Sequence, residues 1–214
     1  MDIEMTQLPE LVIRRIAVSG MDNNVYLLTA RSGDQLLIDA AAEPEAIAEL
    51  LASEQGTLRG VLTTHSHHDH IGALAAVSAA HPAAETLAGD ADAEAITAAT
   101  GVPITRRLRD GDRVALGALE LAVIGLRGHT AGSVALAHTG RGTAPQIFTG
   151  DSLFPGGVGN TQRDPQRFGQ LLDDVIDRIF EAYPDETVVW PGHGRATTLG
   201  AERPHLAQWR DRGW

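Results

Sequence analysis

THSHHDH, residues 64–70, is the segment from which the architecture of this chain can be worked out. An apolar run precedes it and a run of small residues follows it, so it is predicted to join a buried strand to a helix. In an extended segment alternate side chains point the same way, so His65, His67 and Asp69 can converge on one point. His70 then enters as the chain turns. Imidazole and carboxylate groups bind zinc and iron(II) alike, and such a density of polar groups does not fill a core, so the segment predicts a metal site.

Three other apolar strands of the predicted fold each end in one metal-capable residue next to glycine. LELAVIGL leads to GHT, QIFTG leads to Asp151, and TVVW leads to PGHG, which places His129, Asp151 and His193 at strand ends. On its own, the histidine-rich segment could also be an adventitious metal-binding loop or a solvated turn. Strand ends on a rigid scaffold are where folds usually assemble catalytic centres, so the four segments together favour a built site.

The remaining pattern predicts strands followed by helices, twice over. Strand patterns lie in LVIRRIAV, NVYLLTA, QLLIDA, GVLTTH, RVAL, LELAVIGL, SVALAHT, QIFTG and TVVW. Helical patterns cover residues 44–51, 71–80, 88–100, 168–183 and 199–209. This order predicts an α/β fold in which two sheets pack together with helices outside them. At 214 residues the chain is long enough for one large domain, and we predict a single domain over residues 1–214.

The composition of the chain excludes several classes of binding partner and of site chemistry. The formal net charge is −11 and all 17 basic residues are arginine, so nucleic acid is not expected as a partner. The absence of cysteine excludes disulfides, thiolate metal ligands and a cysteine nucleophile. The first twenty residues lack the charge pattern of a signal peptide, and no apolar run is long enough to cross a membrane. We therefore expect a cytoplasmic protein without membrane contact, and its oligomeric state stays open.

These residues carry a resemblance to a known family. HSHHDH is similar to the HxHxDH signature of the metallo-β-lactamase superfamily, and GHT, TGDSLF and PGHG resemble its later metal-ligand segments in the same order. The resemblance runs from Asn24 to Arg203. It implies an αββα sandwich of two mixed β-sheets flanked by helices. It also implies two divalent metal ions, with zinc as the first choice and iron or manganese as alternatives.

The resemblance implies a role for each ligand. The first metal is expected on His65, His67 and His129. The second is expected on Asp69, His70 and His193. Asp151 is expected to bridge the two. In such a centre a metal-bridging hydroxide attacks the substrate, and Asp69 and Asp151 are the residues assigned to catalysis, with Asp69 orienting the hydroxide as a ligand.

Two segments narrow the branch of the superfamily. GDSLFPGGVGNT resembles a loop of glyoxalase II-like thioesterases and persulfide dioxygenases, and PGHGRATTLGAER resembles the C-terminal segment of short glyoxalase II-like hydrolases. We therefore expect hydrolysis of a small-molecule thioester or a related ester. The alternative is a mono-iron persulfide dioxygenase, which leaves His70 and His193 without a second metal. A third reading, a non-catalytic metal module, would need a closed coordination shell.

Substrate recognition is expected not to depend on glutathione as the thiol carrier. Glyoxalase II proteins that use glutathione carry a separate helical C-terminal domain and a basic residue just after the GxG of this loop. Here the chain ends at Trp214, and the loop position is Asn160. The sequence contains no lysine, so only an arginine such as Arg163 or Arg167 could hold a substrate carboxylate, and both fit ordinary surface charges equally well. We therefore expect no dependence on glutathione. The acyl group and the carrier stay open.

Overall fold

The amino-terminal half of the chain builds the first β-sheet in the computed structural model, which describes residues 2–213. The strands follow sequence order: β1 (Glu4–Gln7), β2 (Leu11–Val18), β3 (Asn23–Ala30), β4 (Asp34–Ile38), β5 (Thr57–Thr63), β6 (Glu85–Gly89) and β7 (Arg106–Leu108). Strands β1 to β4 pair antiparallel, and β4 to β7 pair parallel. The sheet is therefore mixed, as predicted.

The carboxyl-terminal half builds the second sheet. Its strands are β8 (Arg113–Leu116), β9 (Leu119–Gly125), β10 (Val134–His138), β11 (Gln146–Gly150), β14 (Val188–Pro191) and β15 (Thr197–Thr198), and a separate hairpin is formed by β12 (Leu153–Phe154) and β13 (Gly157–Val158). The spatial order is β15-β14-β11-β10-β9-β8. Only the pairing of β11 with β14 is parallel among the described strands of this sheet.

Helices connect and cover the sheets. They are α1 (Pro44–Ala52), α2 (Leu74–Ala80), α3 (Ala93–Thr100), α4 (Pro165–Val175), α5 (Leu199–Glu202) and α6 (Leu206–Arg212). Helix α4 continues as a π-helical turn, Ile176–Phe180, and short 3-10 turns cover His68–His70 and Arg203–His205. Asp164 begins α4 because its carboxylate accepts hydrogen bonds from the backbone N–H groups of Gln166 and Arg167. No helix within residues 2–213 is long and apolar enough to cross a membrane.

Three apolar clusters show how the layers stack. The central cluster joins the two sheets, with Leu28 and Leu36 from the first and Leu136 and Phe148 from the second. A second cluster packs the first sheet against α1, α2 and α3, and a third packs the second sheet against α4 and α6. The layers are therefore helix, sheet, sheet, helix. This order confirms the predicted αββα sandwich, while the single-domain boundary over 1–214 stays a prediction.

The third predicted helix begins later in the structure than the sequence predicts. The helix predicted over residues 88–100 begins only at Ala93, and the preceding Glu85–Gly89 is strand β6. Alanine and leucine favour a helix locally, but the segment lies between β5 and β7 and pairs with both in parallel. Tertiary pairing therefore overrides the local preference.

The topology brings several strand ends to one edge of the sandwich. Parallel strands end on the same side, so Asp39 after β4 and Thr64 after β5 are neighbours, and the Thr64 backbone N–H donates to Asp39 at 2.7 Å. In the second sheet, Asp151 follows β11 and Gly192 follows its parallel partner β14. The backbone N–H of Gly192 donates to Gly150 at 2.8 Å. This edge holds the segments that carry the predicted ligands.

Candidate metal centre

The seven side chains predicted as ligands lie together at this edge. Three groups have ligand atoms within 4.8 Å of one another: His65 with His67 and His129, Asp69 with His70 and His193, and His65 with His70 and Asp151. The first two groups are the two sets implied by the family resemblance. Asp151 lies between them.

The distances within the cluster are short. The Nε2 atoms of His65 and His129 are 3.2 Å apart, and those of His70 and His193 are also 3.2 Å apart. Asp151 Oδ1 lies 3.3 Å from His70 Nε2, and its Oδ2 lies 3.6 Å from His129 Nε2. Each oxygen of this carboxylate therefore faces a different set.

This arrangement fits metal ions. Nitrogen ligands at about 2.0–2.1 Å from a tetrahedral zinc are separated from one another by about 3.3 Å, close to the separations in this cluster. Asp151 Oδ1 is buried and has no hydrogen-bond partner in the described chain, and a buried carboxylate oxygen without a donor is costly. A cation would satisfy it. The cluster is suitable for two metal ions, and both zinc and iron match its donor set.

Outer hydrogen bonds fix the orientation of the histidine rings. His129 Nδ1 donates to the carbonyl oxygen of Asn160 at 2.7 Å, and His193 Nδ1 donates to that of Met21 at 2.8 Å. A carbonyl only accepts, so both Nδ1 atoms carry the proton and both Nε2 atoms present lone pairs to the centre. Both rings therefore have the tautomer that a ligand needs.

The first set is electrically neutral near pH 7. Burial and the charge on nearby His70 lower the pKa of His65 well below its usual range. Burial lowers the pKa values of His67 and His129 as well. Protons therefore do not compete strongly for these lone pairs.

The second set stabilises positive charge. Burial alone would lower the pKa of His70, but Asp39 and Asp151 raise it to about 10. Burial likewise opposes the ionisation of Asp151, yet the neighbouring His193 and His70 hold the pKa of its carboxyl far below the usual range. The paired carboxylates of Asp39 and Asp151 thus supply the negative field that a bound cation needs.

Two glycines allow the chain to approach the cluster closely. A Cβ on Gly192 would lie 2.1 Å from Asp151 Oδ1 and 2.8 Å from His70 Cε1. A Cβ on Gly159 would lie 1.7 Å from the Asp151 carbonyl oxygen and 3.1 Å from His129 Nδ1. Any side chain at either position would displace a predicted ligand, which explains glycine beside His193 and in the loop after Asp151.

Strand β3 holds the His193 loop. Asn24 donates from its side chain to the carbonyl oxygens of Pro191 and Gly194 at 2.8 and 2.9 Å, and Tyr26 donates to Pro191 at 2.6 Å. The sequence pattern placed Asn24 at the start of a strand and gave it no such role. Nothing in the spacing of residues 23–26 indicates this partner, because it lies more than 160 positions along the chain.

Asn23 and Asp39 lie next to the predicted ligands, and the sequence identified neither residue as functional. Asn23 Nδ2 donates to Asp69 Oδ2 at 3.0 Å. Burial would raise the pKa of Asp69, but this bond and the charge on His70 together lower it. Asp39 Oδ2 accepts from His70 Nδ1 and from the Thr64 hydroxyl, both at 2.8 Å. Asp39 follows a buried strand, as the predicted ligands do, so the strand-end rule could have found it.

Asp92 links the two segments that carry the first set. Its Oδ2 accepts from the Ser66 backbone N–H at 2.8 Å and from the Thr130 hydroxyl at 2.6 Å. Its Oδ1 accepts from the Gly132 backbone N–H at 2.8 Å. Ser66 lies between His65 and His67, and Thr130 follows His129. One buried carboxylate thus fixes the spacing of all three histidines.

We expect Asp92→Asn to weaken metal binding at the first set by about 10- to 100-fold. Three donors now share the two carboxylate oxygens of Asp92. Asparagine offers only one acceptor oxygen, so its NH₂ group must face at least one of these N–H or O–H donors. The measurement is zinc affinity by competition with a chromophoric chelator. Asp90→Asn is the matched control, because Asp90 pairs at the surface with Arg109. Equal zinc affinities for both variants would show that Asp92 does not position the ligands.

Fold and site together define a class: a metal-binding αββα sandwich protein with a histidine–aspartate cluster at its strand ends. A family model described as the metallo-beta-lactamase superfamily matches residues 18–193. The chain belongs to this superfamily, which confirms the resemblance inferred from its sequence.

Individual relatives agree with this assignment. A hydroxyacylglutathione hydrolase from Fuscovulum blasticum is 37% identical over 176 residues, covering 80% of this chain and 62% of its own length. The crystal structure of ETHE1 from Myxococcus xanthus has a TM-score of 0.78 and 27% identity, covering 93% of this chain and 84% of its own. TTHA1623 in a di-iron-bound form has a TM-score of 0.71 and 32% identity, covering 88% and 96%. The present chain therefore spans less than two thirds of the first of these relatives.

Proposed function

We propose that this protein is a two-metal hydrolase that cleaves a small-molecule thioester. The observation that carries the proposal is the position of Asp151, whose two oxygens face His70 in one ligand set and His129 in the other. A carboxylate shared in this way suits a pair of ions. The likeness to relatives named hydroxyacylglutathione hydrolase supports a thioester as the substrate.

Two bound metal ions would lower the pKa of water and polarise the carbonyl group that it attacks. The chain supplies the surroundings. Neutral His65, His67 and His129 present Nε2 lone pairs, while Asn23 holds the carboxylate of Asp69 in one orientation. The attack forms a C–O bond and breaks the acyl C–S bond. The leaving thiolate has a pKa near 8.5, so the chain does not have to protonate it first.

The direct test is turnover of a lactoyl thioester by the zinc-loaded protein under anaerobic conditions. We expect release of equal amounts of free thiol and acid, independent of oxygen. A zinc-loaded protein that cleaves neither a thioester nor the matching oxygen ester would refute the proposal.

The cytoplasm remains the proposed location.

We predict two metal ions per chain. Seven candidate ligands in two sets exceed what one ion can bind. Elemental analysis after purification with added zinc should approach two ions per chain. A firm value of one, unchanged by supplementation with zinc or iron, would contradict the two-metal assignment.

A second candidate is a mono-iron persulfide dioxygenase, which the structural likeness to ETHE1 from Myxococcus xanthus favours. His70 and His193 then have no second ion to bind, although their Nε2 atoms face each other at 3.2 Å. Oxygen consumption with a persulfide substrate, together with one iron per chain and no thioester cleavage, would establish this candidate in place of the first.

We also predict a weak preference among thiol carriers. Asn160 stands where glutathione-dependent relatives carry a cation, and a buried charged contact of that kind is worth an order of magnitude or more in binding. The kcat/KM values for one acyl group on glutathione and on coenzyme A should therefore differ by less than about a hundredfold. A larger preference for glutathione would show a dedicated glutathione site.

A further inference from the structure

The turn between β2 and β3, residues 19–22, and the residue after it contact two of the three side chains in the second ligand set. The carbonyl oxygen of Met21 accepts from His193 Nδ1 at 2.8 Å. Asn23 donates from Nδ2 to Asp69 Oδ2 at 3.0 Å, and the same Nδ2 lies 3.4 Å from His193 Nε2. The backbones of Asn23 and His193 also form an isolated β-bridge. Asp69 and His193 therefore share one supporting segment.

Ser19 fixes the orientation of the Asn23 amide. An ionised carboxylate only accepts hydrogen bonds, so the NH₂ group of Asn23 must face Asp69 and its Oδ1 must face away. Ser19 Oγ donates to this Oδ1 at 2.6 Å and accepts from the Met21 backbone N–H at 3.1 Å. Each group in this series, from the Met21 N–H to the Asp69 carboxylate, thus donates to the next one.

The turn is held in a conformation that its residues rarely adopt alone. Ser19 and Asp22 have φ angles of 65° and 54°, in the left-handed region that is uncommon for residues with side chains. Such conformations persist where their surroundings hold them, and they cluster at functional sites. The Glu43 carboxylate provides part of this support, because its Oε1 accepts from the Ser19 backbone N–H at 2.7 Å. Glu43 precedes α1, so the turn is attached to the helix layer.

Other segments of the chain support the first ligand set. The carboxylate of Asp92 fixes the spacing of its three histidines through hydrogen bonds from two segments. The carbonyl oxygen of Asn160 orients the ring of His129. A change in the β2–β3 turn should therefore affect the second set and leave the first set unchanged. This difference makes the role of the turn measurable.

We propose that Asn23 is a positioning residue of the second metal site and that Ser19 acts through it. The inference rests on the proposed two-metal function. An aspartate that binds a metal ion must hold one oxygen toward the ion, and a hydrogen bond to its carboxylate restricts its rotation. Asn23 is fully buried, so solvent does not compete for this bond. The conformation of the β2–β3 turn thereby determines how tightly the second ion is bound.

The experiment is a zinc titration of the metal-free protein against a chromophoric chelator, which gives a dissociation constant for each ion. Asn23→Ala should raise the dissociation constant of one ion by about 10- to 100-fold and leave that of the other ion unchanged. Ser19→Ala should raise the same constant by about five- to tenfold, since it removes one hydrogen bond to the amide. Because Ser19 acts through Asn23, the double variant should bind zinc no more weakly than Asn23→Ala alone.

Two background variants identify the affected ion. His129→Ala removes a ligand of the first set, and Asp69→Ala removes a ligand of the second. Asn23→Ala should weaken zinc binding when it is added to His129→Ala. It should have no effect when it is added to Asp69→Ala, where the amide has lost its partner. A general loss of packing would weaken zinc binding in both backgrounds, so this comparison separates positioning from a merely structural role.

Ser32→Ala is the matched control. Ser32 lies in the turn at the other end of β3, and its Oγ likewise donates to a side-chain oxygen and accepts the backbone N–H two positions later. Its zinc affinities should equal those of the parent. Retention of the first ion shows that Asn23→Ala is folded, and the Ser19→Ala titration decides if it is not. Parent-like affinities at both ions, or equal losses at both, would overturn the inference.

Metal binding separates this inference from the proposed function. If the protein binds two ions but cleaves no thioester, the hydrolase proposal fails and the titrations still decide the role of Asn23. If a thioester is cleaved and the variants show no selective loss of one ion, only the positioning role is wrong. If the parent binds a single ion, the two-metal assignment fails and this inference fails with it.

Discussion

Replacement of Asp151 by alanine should lower kcat/KM for thioester hydrolysis by about a thousandfold or more. Its oxygens face both ligand sets, so one substitution removes negative charge from two ions at once. Several kcal/mol of transition-state stabilisation depend on those ions, and each 1.36 kcal/mol corresponds to a factor of about ten. Metal content should fall below two ions per chain in the same preparation.

Asp173→Ala is the matched control for this prediction. Asp173 lies on α4, is 57% exposed and pairs with Arg210 at the surface. Its substitution should change neither activity nor metal content, since surface pairs contribute little. Asp151→Asn separates charge from shape because it keeps the size of the side chain. Full activity and two ions in Asp151→Ala would show that this residue does not bridge.

Trp209→Ala should reduce the free energy of unfolding by about 3–5 kcal/mol. Trp209 on α6 is only 1% exposed, and its ring packs edge-on against Phe180 at a centroid distance of 6.2 Å. The truncation leaves a void in the outer cluster between the second sheet and its helices. Chemical denaturation at a fixed zinc concentration measures the effect, because bound metal itself adds stability.

Met5→Ala provides the comparison at an exposed apolar position. Met5 is 58% exposed on edge strand β1, so its truncation should change stability by less than about 0.5 kcal/mol. If Trp209→Ala were as small in effect, α6 would be only loosely attached to the sandwich.

The fold could be predicted where a sequence pattern is strong and local. The apolar runs of β2 and β3 and the apolar stripe of α4 predict those elements without tertiary information. Strand β6 could not be identified, because an alanine-containing segment of five residues becomes a strand only through its two parallel neighbours. Strand β1 was missed for a related reason. Its sequence EMTQ is polar and mostly exposed, so only pairing with β2 shows it.

The candidate site likewise contains residues that the sequence predicted and residues that it could not predict. Ligand side chains were recognisable because imidazoles and carboxylates at strand ends have few structural uses. Their supporting groups were not, since Asp92 looks like an ordinary residue before a helix and acts through backbone N–H groups in two distant segments. Arg163 and Arg167 could not be distinguished by sequence either. The structure distinguishes them, because Arg167 donates to the carbonyl oxygens of Gly128 and His129.

The contact between the start of β3 and the His193 loop has a consequence for the order of folding and metal uptake. His193 and Met21, whose Nδ1 atom and carbonyl oxygen are hydrogen-bonded, are 172 positions apart, so the last predicted ligand is oriented by the turn between β2 and β3. Contacts of such long separation form late and slow folding, because a large loop must close before they stabilise anything. Uptake of the ion at this second set should therefore follow docking of the two sheets. The rate of ion uptake would then report the rate at which folding is completed.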